Sequence, residues 1–156
     1  MARKPTSKPL FTIGYEQATS AAVLDELAHA KVDLVVDTRA VAASRKPGFS
    51  KRQLAAGLDE RGIGYLHLQG LGTPKQGRLA ARAGKLDKLS AIYHAHLKTA
   101  QAREQLDELT DLVRSGKRVC LLCFERDHKA CHRQWIAEEV HERTRTPVEH
   151  LAAKLV

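Results

Sequence analysis

Apolar residues along this chain fall into short solid runs, separated by stretches in which they recur every three or four positions. The runs lie at 10–14, 32–36, 65–68, 119–124 and 148–151, the length of buried strands. Between them the spacing is helical. Ser20 stands where it can cap a helix carrying Val23, Leu24, Leu27 and Ala30, and Ser50 can cap another running to about residue 60. Residues 86–97 and 101–113 read as two more helices, with Gly116 as a stop, and 131–143 as a last one. Residues 40–50 and about 70–84, marked by Pro47, Gly48, Gly70, Gly72, Pro74 and Gly77, read as loops. Strands alternating with helices imply right-handed crossovers. The expected fold is an α/β three-layer domain with a mostly parallel sheet of about five strands and helices on both faces. It forms a single domain over 10–156, behind a polar, disordered tail at 1–9.

That architecture places a ligand site outside the carboxyl ends of the strands, and those ends are polar here. The first strand runs into Gly14-Tyr15-Glu16 and the second into Asp37-Thr38-Arg39. The third leads to Gly70-Leu71-Gly72, and the fourth delivers Cys123-Phe124-Glu125 with Cys131-His132-Arg133 close behind. Cys131, at an expected helix N-terminus beside an imidazole and a guanidinium, is placed to react as a thiolate. His132 can serve as general acid or base, oriented by Asp37 or Glu125. Arg39, Arg45 and Arg133, with Tyr15 and Gly72, are the candidate groups for an anionic substrate. A phosphatase-type or rhodanese-type loop does not fit, because Cys123 and Cys131 meet Arg126 and Arg133 too early. Cys123, Cys131 and His132, with Glu125 or Asp37, are of the types zinc takes. Neighbouring helical residues such as Cys131 and His132 would diverge, however, so no metal is assigned from the sequence, and any cofactor stays unidentified. Cys120 reads as a small core residue.

Charge sharpens the ligand class. The formal net charge of +8 is concentrated: ten Lys and Arg stand between Thr38 and Leu86 against only Asp59 and Glu60. Such a segment attracts polyanions, so the expected partner is an anionic ligand, a nucleotide or nucleic acid. The two functional readings are an enzyme acting on a nucleotide, nucleic acid or other phosphorylated substrate, and a non-enzymatic nucleic-acid-binding domain. Aromatic residues make up 4% of the chain, so stacking would rest on Tyr15, Phe49, Tyr65 and Trp135. No apolar run approaches the roughly 20 residues that span a bilayer, so no membrane association is expected. Three cysteines without framework spacing and a polar N-terminus predict a reducing, cytoplasmic setting.

The landmarks Thr12-Ile-Gly14, Asp37-Thr-Arg39, Ser44-Arg45 with Phe49, Gly62-Ile-Gly-Tyr65, Leu71-Gly72, Cys123-Phe-Glu125 and Cys131-His-Arg133 together resemble the family catalogued as domain of unknown function 488. The resemblance runs over about 10–151. It departs at Thr38, where a hydrophobic residue is common, and at Tyr15, where His is frequent. It implies the fold and the rim site, and leaves the reaction open.

Overall fold

The computed structural model describes residues 8–155. Five strands, β1 (Leu10–Gly14), β2 (Leu34–Asp37), β3 (Gly64–His67), β4 (Val119–Cys123) and β5 (Val148–His150), form one sheet in the order β3-β2-β4-β1-β5. Every neighbouring pair is parallel. Six α-helices are present among the described residues: α1 (Ser20–His29), α2 (Lys51–Glu60), α3 (Lys75–Arg82), α4 (Leu86–His96), α5 (Ala100–Arg114) and α6 (Arg133–Thr144). A parallel sheet must be covered on both faces, and alternate residues of each strand show how. Phe11, Ile13, Val35, Cys120 and Leu122 pack with Val23 and Leu27 of α1 and Leu54 and Leu58 of α2. Leu10, Val36, Val119 and Leu121 pack the other way, with Leu106 and Leu109 of α5 and Ile136 and Val140 of α6. The three-layer expectation holds, and Cys120 is fully buried, where burial raises its thiol pKa well above the ordinary value.

The connections decide where the rim opens. The chain leaves β1 and β2 across the α1–α2 face, and leaves β3 and β4 across the other. Because β2 and β4 are neighbours, their outgoing loops part, and a crevice opens beyond their carboxyl ends. Among the described residues, no helix is long and apolar enough to cross a membrane.

Several local expectations need correction. Thr19, not Ser20, caps α1, accepting from Ala22 N at 3.1 Å. Ser50 does stand at the cap of α2, but its hydroxyl is spent on Ser44: it donates to the carbonyl and accepts from the N–H. The expected loop over 70–84 contains α3. Pro74 stands at its cap, and Gly77, a poor helix former in isolation, lets the helix lie against Thr73, Leu89 and Ile92, because an added Cβ would strike the Thr73 methyl. Cys131 is extended (φ −137°) and lies one residue before the α6 cap, which is His132. Of the expected tail, residues 1–7 lie outside the described residues, and Lys8 and Pro9 belong to no strand or helix.

Candidate functional site

The end of β2 is a closed knot. Asp37 is fully buried and pairs with Arg39 through Nε on Oδ1 (2.9 Å) and Nη2 on Oδ2 (2.7 Å), while the Tyr65 hydroxyl also donates to Oδ2 at 2.5 Å. Arg39 also gives Nη1 to the Phe49 carbonyl and the Tyr15 hydroxyl. Burial works against the Arg39 charge, but the bidentate Asp37 bond more than offsets it, and the guanidinium ends above its ordinary pKa. Asp37 therefore makes no hydrogen bond to His132, whose Nε2 is held by the Thr38 carbonyl, and Arg39 has little left to give a ligand. Both were expected as site residues; the structure uses them to fasten β2 to the 40–50 loop.

The end of β4 is different. Cys123 and Cys131, eight residues apart in sequence, bring their sulfurs within disulfide-bonding distance. Arg133, with no exposed surface, reaches beneath them. Its Nη1 donates to Cys123 Sγ at 2.9 Å and to the Glu125 carbonyl at 2.5 Å, its Nη2 to the Arg126 carbonyl, and its Nε to Thr12 Oγ1. No carboxylate pairs with it among the described residues. Burial lowers its pKa to about 10. The Thr12 hydroxyl also hydrogen-bonds His150 Nδ1 at 2.6 Å. Arg133 is thus a buried support that holds the 123–126 turn in place, and is not an exposed substrate clamp.

His132 is positioned equally firmly. Its Nε2 donates to the Thr38 carbonyl at 2.8 Å, which fixes the tautomer and leaves the Nδ1 lone pair facing Cys131 Sγ at 3.5 Å. Burial depresses its pKa to about 4, so the ring is neutral. The expected divergence of Cys131 and His132 does not occur, because Cys131 lies outside the helix. Its extended backbone turns the sulfur toward both His132 and Cys123. Cys131 stands just before the α6 cap, its carbonyl accepting from Gln134 N at 3.4 Å, and its sulfur is paired with Cys123 instead of standing as the lone thiol that was expected.

Gly14 makes this geometry possible. An added Cβ would fall on the Glu125 carbonyl, so only glycine lets β1 run under the 123–126 turn. Burial in turn raises the Glu125 pKa above the ordinary carboxyl value.

These groups face a cleft of about 700 Å³ lined by Tyr15, Arg39, Ser44, Cys123, Glu125, Cys131 and His132, and closed on the far side by Arg78 and Arg82 of α3. Arg45 is exposed and does not line it. Gly72 does not line it either; it is buried where a side chain would overlap the Ala40 backbone. The expected stacking faces are occupied: Tyr15 stacks on buried Phe49 at 4.3 Å, Tyr65 is tied to Asp37, and Trp135 stacks on Tyr93. Phe124, 46% exposed and lining the cleft, packs at a steep angle against Tyr15 (ring centroids 5.4 Å) and is the ring left partly open to solvent. Arg78 and Arg82, outside the expected site because 70–84 is predicted as loop, reach the cleft from α3. Their i, i+4 spacing on one helix face was the available signal.

A family model described as Domain of unknown function DUF488 matches residues 19–140, a span that includes β2, β4 and the Cys131-His132-Arg133 turn. No curated protein and no solved structure matches the chain.

Proposed function

From a chain that belongs to the DUF488 family, whose description names no reaction, we propose an enzyme acting in the β2–β4 cleft on a nucleotide or other phosphorylated ligand. Cys123, Cys131, Glu125 and His132 are its reactive groups. One observation carries this reading: the paired sulfurs of Cys123 and Cys131 share one cleft with two arginines that make no salt bridge among the described residues. Arg78 spends one N–H on the Thr73 carbonyl, and the rest of its fork is free for an anion. Arg133 favours negative charge on Cys123 Sγ, and the His132 Nδ1 lone pair is aligned to receive the Cys131 thiol proton. The cleft has room for a nucleotide, and Phe124 presents an exposed ring to a base.

The test is calorimetric titration of the reduced, chelator-treated protein with ATP, AMP and pyrophosphate. At least one of these binds the native chain, and Arg78→Ala/Arg82→Ala weakens it by about 10- to 100-fold, the worth of one or two charge-assisted hydrogen bonds. Equal affinity in the double variant would overturn the reading. If none of the small probes bound while duplex DNA bound in a salt-sensitive manner, the non-enzymatic reading would replace it, with exposed Arg45, Lys51 and Arg52 as the contact groups.

A further inference from the structure

The surroundings of the two sulfurs favour one chemical state over another. A disulfide sulfur is neutral, yet the Cys123 sulfur receives a hydrogen bond from Arg133, a buried cation with no carboxylate partner among the described residues. The Cys131 sulfur faces the lone pair of His132 Nδ1, whose other nitrogen is committed to the Thr38 carbonyl. That lone pair needs a proton or a positive charge in front of it, and a disulfide offers neither. The two Cα atoms stand 7.5 Å apart, wider than the roughly 4.4–6.8 Å that disulfides usually span. Glu125 completes the arrangement: its carboxylate and both sulfurs lie within 4.8 Å of one another.

We propose that Cys123, Glu125 and Cys131 form a binding site for a thiophilic divalent cation of the zinc class, open on its fourth side to the cleft. Two thiolates and one carboxylate are the ligand types zinc takes, and around such an ion they sit roughly 3–4 Å apart, so the sulfurs need only separate modestly to admit it. Charge closes as well. The ion and Arg133 together cancel the three negative ligands, which accounts for an arginine buried there without a carboxylate of its own. Its N–H on Cys123 Sγ is the outer-shell bond that steadies a metal-bound thiolate. The ion also places positive charge beside the His132 lone pair. Binding releases the thiol protons to solvent and involves no change of oxidation state. Three protein ligands and a cleft-facing vacancy correspond to catalytic zinc sites, in contrast to closed structural ones.

This inference rests on the same cleft as the proposed enzyme but is tested separately. The reduced, chelator-treated protein is titrated with Co²⁺. The expected result is sulfur-to-cobalt charge-transfer absorption with tetrahedral visible bands, saturating at one equivalent and displaced by Zn²⁺. Cys123→Ser and Cys131→Ser abolish the charge-transfer signal or halve it, Glu125→Gln weakens binding at least tenfold, and Cys120→Ala leaves it unchanged. If the serine variants fail to fold, the native titration and Glu125→Gln decide. Absence of the charge-transfer band in native protein whose thiols are confirmed reduced, or undiminished binding in a folded Cys131→Ser variant, would overturn the site. Neither outcome touches phosphate binding by Arg78 and Arg82, and loss of that binding leaves the cobalt result standing.

Discussion

Asp37→Ala lowers stability by about 3–5 kcal/mol, because it strands the Arg39 guanidinium, 6% exposed, without its bidentate partner and leaves the Tyr65 hydroxyl without its acceptor. For a chain of this size the loss corresponds to a fall in Tm of roughly 10 °C or more. Denaturant unfolding followed by circular dichroism measures it directly. The prediction separates two roles for the same residue. A carboxylate that fastens β2 to the 40–50 loop costs stability when removed, whereas one that only orients a catalytic imidazole would leave the unfolding midpoint near the native value. The distances favour the first role: all four hydrogen bonds to the carboxylate come from Arg39 and Tyr65, and none from His132.

The second large effect falls on Arg133. Its alanine variant loses about 3–5 kcal/mol, since it leaves the carbonyls of Glu125 and Arg126, the Thr12 hydroxyl and the Cys123 sulfur to find other partners in a dry interior. Arg133→Lys recovers only part of this, because one ammonium cannot reproduce a planar fork that ties Thr12 of β1 to the 123–126 turn. Urea titration of the three proteins gives the order: native most stable, lysine intermediate, alanine least. A lysine variant as stable as the native chain would mean that charge alone matters there, and the fork would not be what holds the 123–126 turn.

The fold was legible because parallel strands buried on both faces leave solid apolar runs. Residues 10–14 and 119–123 read as strands and are strands, buried throughout. The rim was legible for the same reason, since the strand ends are where polar residues gather. What the sequence hid was how those polar groups divide. Asp37 and Arg39, two residues apart, satisfy each other, and nothing in their spacing distinguishes that from two groups aimed at a substrate. The position of Cys131 turned on a single residue: placed in the helix it diverges from His132, and placed one step before the cap it faces both His132 and Cys123. The segment 75–82 was obscured by Gly77, whose cost in an isolated helix is outweighed by the close approach it permits to Thr73 and α4. With α3 unread, Arg78 and Arg82 could not be placed on the cleft.

The central claim is that the cysteine cluster and the α3 arginines form one ligand site. Alkylation by iodoacetamide of the reduced, chelator-treated protein, mapped by mass spectrometry with and without saturating ATP, tests it most directly. Cys123 and Cys131 are nearly buried but line the cleft, whereas Cys120 lies in the core away from it and serves as the internal control. The account predicts that ATP slows labelling of Cys123 and Cys131 several-fold, that Arg78→Ala/Arg82→Ala removes this protection, and that Cys120 stays unlabelled throughout. Labelling of Cys123 and Cys131 at the same rate with and without bound ATP would contradict it.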